Sequence, residues 1–160
     1  MYVEELFNLS NLFVLPFWVL FIFLPNWQFT RKVAQSPLPF VALAGLYIYF
    51  LVNTLNAENA AAMANPDLMA IAGFFADPAA AATGWTHFLV MDLFVGRWVY
   101  LEGQRTGVFT AHSIALCLFA GPIGLLSHLT TDAIVQKFFA KEATSAGEQD
   151  GDDSSLEPST

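Results

Sequence analysis

Two apolar stretches carry ionisable side chains of the kinds that move protons. GWTHFLVMDLFVGR, residues 84–97, holds His87, Asp92 and Arg97; HSIALCLFAGPIGLLSH, residues 112–128, holds His112, Cys117 and His128. A carboxyl, an imidazole and a guanidinium together supply a proton donor, a proton acceptor and a fixed positive charge for a developing anion. The bland alternative is an Asp–Arg or Asp–His pair that only locks helices together. The surrounding solvent decides between them. A charge near a bilayer centre costs at least ~2.5–3.5 kcal/mol on insertion scales unless it faces protein and finds a partner. A carboxyl taken out of water also favours its neutral, proton-holding form.

Composition places these residues in lipid. Hydrophobic types make up 56% of the 160 residues and charged types 12%, against about 25% charged in an ordinary soluble domain. A soluble globule of this length could not hide that much apolar surface. Six Lys and Arg form no basic stripe, which argues against a nucleic-acid partner. The lone cysteine excludes an intrachain disulfide and a cysteine-based zinc cluster. No phosphate loop, metalloprotease helix or serine elbow is present, so neither a metal nor a cofactor is expected. The net charge of −8 is concentrated in residues 142–160, which hold six acids and no base, leaving residues 1–141 at −2. That Ser-, Gly- and Asp-rich tail is expected to be disordered.

The elements that must position the candidates are helices, because the apolar runs are continuous and lack the alternation of barrel strands. Spans are expected at about 7–27, 38–55, 79–101 and 108–130, giving an all-α, integral membrane four-helix bundle over residues 1–141. The first lacks the basic flank and cleavage site of a secretory signal and is read as a retained helix. Asn26 to Ser36 reads as a polar turn. Residues 61–77 are too short in apolar length to cross; an interfacial amphipathic or re-entrant helix, capped at Asn65-Pro66, is expected there. Gly121-Pro122 and Gly124 are expected to bend the fourth span.

At 100° per residue, Asp92 lies about 140° around the helix from His87, and Arg97 about 140° further. No two share a face, so their partners must come from other helices. With spans three and four as antiparallel neighbours, equal rise sets Arg97 level with His112, Asp92 with Cys117 and His87 with Pro122. His128 would then stand near Ala81–Thr83, at the opposite interface from His112. The Lys and Arg count, Arg31, Lys32 and Arg105 against Lys137 and Lys141, puts both termini outside or in the lumen. Trp18, Trp27, Trp85 and Trp98 read as interface anchors or bundle packing.

The two stretches, and most of residues 5–135, resemble the abscisic-acid-deficient-four-like family of small membrane proteins, whose plant members are implicated in neoxanthin synthesis. A similar plant pattern, His-x4-Asp-Leu-Phe-x2-Arg, falls here on His87, Asp92, Leu93, Phe94 and Arg97. The second segment falls on His112, Ser113, Leu116, Cys117, Pro122, Gly124 and His128. The short N-terminal flank and acidic tail look like those of a cyanobacterial or other bacterial member, in a thylakoid or plasma membrane. The resemblance implies membrane lipid, a carotenoid or other isoprenoid, and a partner membrane protein as associates. One expectation is then an enzyme, or a subunit of one, rearranging an epoxy-carotenoid, with His87, Asp92 and Arg97 catalytic. The alternative is a non-catalytic pigment-binding or assembly factor with a groove lined by Trp85, Tyr47 and Phe94. His112 and His128 join Trp85 and Phe94 as candidate ligand-binding residues. A b-type haem is disfavoured because His87 and His112 stand at different depths.

Overall fold

The computed structural model describes residues 2–64 and 66–153, and every regular element among them is an α-helix. Helix α1, Tyr2–Phe23, buries Ser10, Val14, Trp18 and Phe21, a spacing that draws one stripe along it. The expected polar turn instead holds a short helix, α2, Gln28–Gln35, which buries Thr30 and Ala34 and exposes Arg31 and Lys32. Thr30 donates its hydroxyl to the Leu24 carbonyl at 2.7 Å and closes the corner between α1 and α2. Helix α3, Leu38–Thr54, follows at 43° to α2 and matches the expected second span to within a residue.

The link to the third long helix forms two short ones, α4, Ala57–Ala64, and α5, Leu68–Phe74. The cap of α5 is Asp67, whose Oδ1 accepts from the Met69 and Ala70 amides at 2.9 Å; the cap residue expected from the sequence, Asn65, lies outside the described residues. Helix α6, Pro78–Thr106, starts on an equivalent Asp77 cap and ends at Gly107, whose φ of 75° is left-handed. It runs beyond residue 101 because 102–106 stay helical, tied by the Glu102–Arg105 pair and by Thr106 donating to the Glu102 carbonyl. At 1.5 Å per residue it is about 43 Å long. It is the hub on which α1, α3 and the last two helices pack.

The main departure comes after Gly107. The expected fourth crossing is split into α7, Ala111–Cys117, and α8, Gly121–Asp153, and the two fold back on each other. The Ser113 and Ser127 hydroxyls are 3.0 Å apart, and His112 Nε2 lies 3.1 Å from the Thr131 hydroxyl. Gly124 packs on Cys117, so the paired positions close in sequence towards a tip at 118–120, as in a hairpin. Pro122 has no amide to donate and so suits the first turn of α8. A Cβ at Gly124 would stand 2.6 Å from the Cys117 amide nitrogen, so only glycine admits this contact. The anticipated bend is therefore a reversal, and residues 108–130 do not form one continuous helix.

Helix α8 continues to Asp153, into the segment where composition predicts a disordered tail; 154–160 lie outside the described residues. The Ala, Lys, Glu and Gln of 140–149 are good helix formers. Among the described residues, α1 is long and apolar enough by itself to cross a membrane, and α2 with α3 would be a second, bent span. Helix α6 has the length, but its His, Asp and Arg lower its hydropathy.

Candidate functional site

Asp92 occupies the middle of α6, half-buried, where the α7–α8 tip meets it. Its Oδ1 accepts from the Gly121 amide at 2.8 Å, so the carboxyl caps the first turn of α8. That amide is one of the orphan donors at a helix N-terminus, and the positive end of the helix dipole favours a carboxylate there. A Cβ at Gly121 would come 2.5 Å from Oδ1 and 3.3 Å from Asp92 Cα, so glycine is what lets the two elements touch.

The other two candidates point elsewhere. His87 is exposed and lies against Tyr47 of α3, ring centroids 5.7 Å apart. Arg97 donates Nε–H to the Ala34 carbonyl in the last turn of α2, and its guanidinium sits 5.6 Å from the Phe40 ring centroid. A cation at that carbonyl complements the C-terminal end of α2. The three groups thus engage three different neighbours, as their angular spacing on one helix requires, and form no single cluster.

Trp85 donates its indole N–H to Asn11 Oδ1 at 2.7 Å and lies 6.1 Å from the Phe7 ring. It borders a cleft of about 560 Å³ between α1 and α6, lined also by Val3, Glu4, Phe7, Pro78, Ala81 and Ala82. That volume lies within the ordinary range of small-molecule sites. Phe94 is half-exposed and meets Phe40 edge-on at 5.9 Å. Trp18 is packing rather than an anchor: it is 4% exposed, and it abuts Gly96, where a Cβ would stand 2.5 Å from the indole.

His128 is the largest positional correction. It does not stand near Ala81–Thr83 but meets Trp98 edge-on at 5.4 Å, at the same end of α6 as His112. The physical reason is the hairpin: counting at equal rise assumes that residues 108–130 continue in one direction. His128 is 1% exposed, and its Nδ1, with Asp132 Oδ1, is a buried polar atom without a hydrogen-bond partner among the described residues. His112, stacked on Phe109, Ser113, Ser127 and Thr131 complete a polar tier around it. Sequence reasoning missed Ser127, Thr131 and Asp132, which join His112, Ser113 and His128 only once the chain reverses. Among the described residues no group of three metal-ligating side chains is present. The chemistry the arrangement offers is a mid-helix carboxyl on an N-terminus, an apolar cleft roofed by an indole, and a buried imidazole with an open nitrogen.

A family model described as ABA4-like, ABA DEFICIENT 4-like, matches residues 5–128. Protein ABA DEFICIENT 4, chloroplastic, of Arabidopsis thaliana is 36% identical over 137 residues, covering 82% of this chain and 62% of the relative. The chain therefore spans less than two thirds of that relative's length. No solved structure matches.

Proposed function

The chain belongs to the ABA DEFICIENT 4-like family, and from that we propose that it is an integral membrane protein of carotenoid metabolism. Its working groups, on this reading, are Asp92 and the α1–α6 cleft beside Trp85. Support for the membrane setting is the outward direction of the apolar surface. Only 22% of the apolar window in α1 is buried, and Leu12, Val41, Val52, Phe88, Phe119 and Leu126 are each more than half exposed. Soluble monomers rarely expose contiguous apolar surface on this scale. Lipid is the solvent that makes such a fold stable.

Inside that setting the substrate class is an epoxy-xanthophyll. Rearranging its epoxide to an allenic alcohol adds one proton at the ring oxygen as the C–O bond breaks, and removes one from a neighbouring carbon. There is no net redox change. Asp92 is the group assigned to deliver the proton to oxygen and, once ionised, to take up the one released from carbon, with the apolar cleft holding the polyene. The observation that carries this reading is a carboxyl at mid-helix with a single hydrogen bond among the described residues, to Gly121. The divergence of His87 and Arg97 favours a second reading, in which the protein holds a pigment without changing it. Deleting the chain in its host and comparing extracted pigments by mass spectrometry tests the role. Loss of an allenic xanthophyll with accumulation of its epoxide supports the enzyme. An unchanged pigment profile, with pigment copurifying, supports the carrier; an unchanged profile and no bound pigment refutes both.

A further inference from the structure

The reversal at 118–120 redistributes the charge of the molecule. Contacts divide the bundle into two ends. At one, Tyr100 donates to the Pro25 carbonyl at 2.8 Å, Arg31 Nη2 donates to Gln104 Oε1 at 3.0 Å, and His112 meets Thr131. At the other, Trp85 meets Asn11, the Thr54 and Thr83 hydroxyls are 3.3 Å apart, and Phe75 lies on Gly84. With α8 turned back along α6, His128 on Trp98, the chain after Asp132 leaves by the first end. Arg31, Lys32, Arg97, Arg105 and Lys137 then belong to that end, and the stretch of α8 that carries the sixth base, Lys141, leaves by it; Glu102 and Asp132 stand among these bases, and the acids of 142–153 follow further along α8. The opposite end carries Glu4, Glu5, Asp67 and Asp77 and no base.

Had residues 108–130 crossed as one helix, Lys137 and Lys141 would fall on the other side, leaving four bases against two. Helix α2 strengthens the division. Trp27 and Phe29 are half-exposed beside the exposed Arg31 and Lys32, the pattern of a helix lying in the headgroup layer. Helix α7, about 10 Å long, reaches only part of the way into hydrocarbon about 30 Å thick. Non-helical backbone at 118–120 is admissible at that depth because its amides bond within the hairpin, Leu118 to the Ile114 carbonyl and Phe119 and Ala120 to the Leu116 carbonyl, and Gly121 bonds to Asp92.

We propose that the end formed by α2, the C-terminal part of α6 and the middle of α8 is a docking surface for the anionic headgroups of the leaflet on the untranslocated side. Helices α1, α3 and α6 make three crossings, α2 lies in the headgroup layer between the first two, and α7–α8 is a re-entrant hairpin entering from that leaflet. The N-terminus is translocated and α8 is not. Lys and Arg beside crossing segments are retained on the untranslocated side, where anionic lipid attracts them. The expectation that both termini share a side is replaced. The inference rests on the membrane reading above, and the test separates the two.

Single cysteines are placed by Glu5→Cys, Asp67→Cys, Gln35→Cys and Gln136→Cys in a Cys117→Ser chain. Vesicles of either sidedness are then labelled with a membrane-impermeant maleimide. The original chain serves as a control, since its buried Cys117 should stay unlabelled. Positions 5 and 67 are expected to label only from the translocated side, and 35 and 136 only from the other. Label at 5 and 136 from the same side overturns the re-entrant hairpin. The reverse assignment of 5 and 35 overturns the headgroup surface. Label at every position from both sides of intact vesicles removes the membrane reading itself. In the chain with Arg31→Gln, Lys32→Gln and Lys137→Gln, the sidedness of position 5 is expected to be lost; unchanged sidedness shows that the basic end does not set orientation, which also refutes the proposal.

Discussion

Replacing Asp92 separates its two roles, cap and proton donor, because the two obvious substitutions remove different things. Asp92→Ala deletes the acceptor of the Gly121 amide, bonded at 2.8 Å. It leaves an N–H at the start of α8 without a partner where little water can reach. An unsatisfied buried donor costs about 1–3 kcal/mol, which is roughly a five- to 150-fold shift in favour of an undocked hairpin at 1.4 kcal/mol per tenfold. Asp92→Asn keeps an oxygen in place as acceptor and removes the transferable proton, and where the carboxyl is ionised it also forfeits about 0.3–1 kcal/mol of charge–dipole attraction at the helix terminus. Amide exchange at Gly121 and thermal unfolding in detergent read the docking; pigment profiles read the chemistry. The expected order of stability is Asp, then Asn, then Ala, with Gly121 exchange fastest in the Ala variant. Equal Gly121 exchange in all three would refute the capping argument. If Asn preserves docking and abolishes conversion, the proton is what matters; if Asn preserves both, Asp92 is a cap alone and its catalytic assignment falls.

Two further expectations concern the hairpin and its rim. Gly124→Ala should destabilise the α7–α8 contact by about 1–3 kcal/mol, the usual penalty of overpacking, because its Cβ would stand 2.6 Å from both the Cys117 nitrogen and the Ser113 carbonyl oxygen; unchanged thermal stability in detergent contradicts the reversal. At the rim, the hydrogen bond from Arg105 holds the Glu102 carboxyl below its ordinary range. A depressed carboxyl contributes stability above the usual carboxylate range and loses it as pH falls through its lowered value, so an NMR titration should show Glu102 below an unpaired Glu and Arg105→Gln should bring it back up. A normal titration in the original chain rejects the pairing.

How much was legible in the sequence depended on the range of the interaction. Residues 38–54 are helical as expected, since an apolar run opened by prolines is a local signal. The divergence of His87, Asp92 and Arg97 followed from 100° per residue alone. Helix α2 was illegible as a helix: QFTRKVAQ looks polar until Thr30 and Ala34 are pressed against neighbours and Arg97 reaches the Ala34 carbonyl. The cap at Asp67 was not singled out because Asn65-Pro66, two residues earlier, carries an equally good local signal.

By itself the amino-acid sequence determined the helical class, the lipid-compatible composition, the long third helix and the fact that its ionisable groups need separate partners. These depend on residue type and near spacing. Tertiary structure decided the direction of the chain after Leu118, and with it the surroundings of His128, the tier of Ser113, Ser127 and Thr131, and the side to which Lys137 belongs. Glycine and proline announce that a helix is interrupted, but the angle of the interruption is set by what the next helix finds to pack on. Here that is the Asp92 carboxyl and the surface of Cys117, contacts between residues 29 and 7 positions apart that no periodicity encodes.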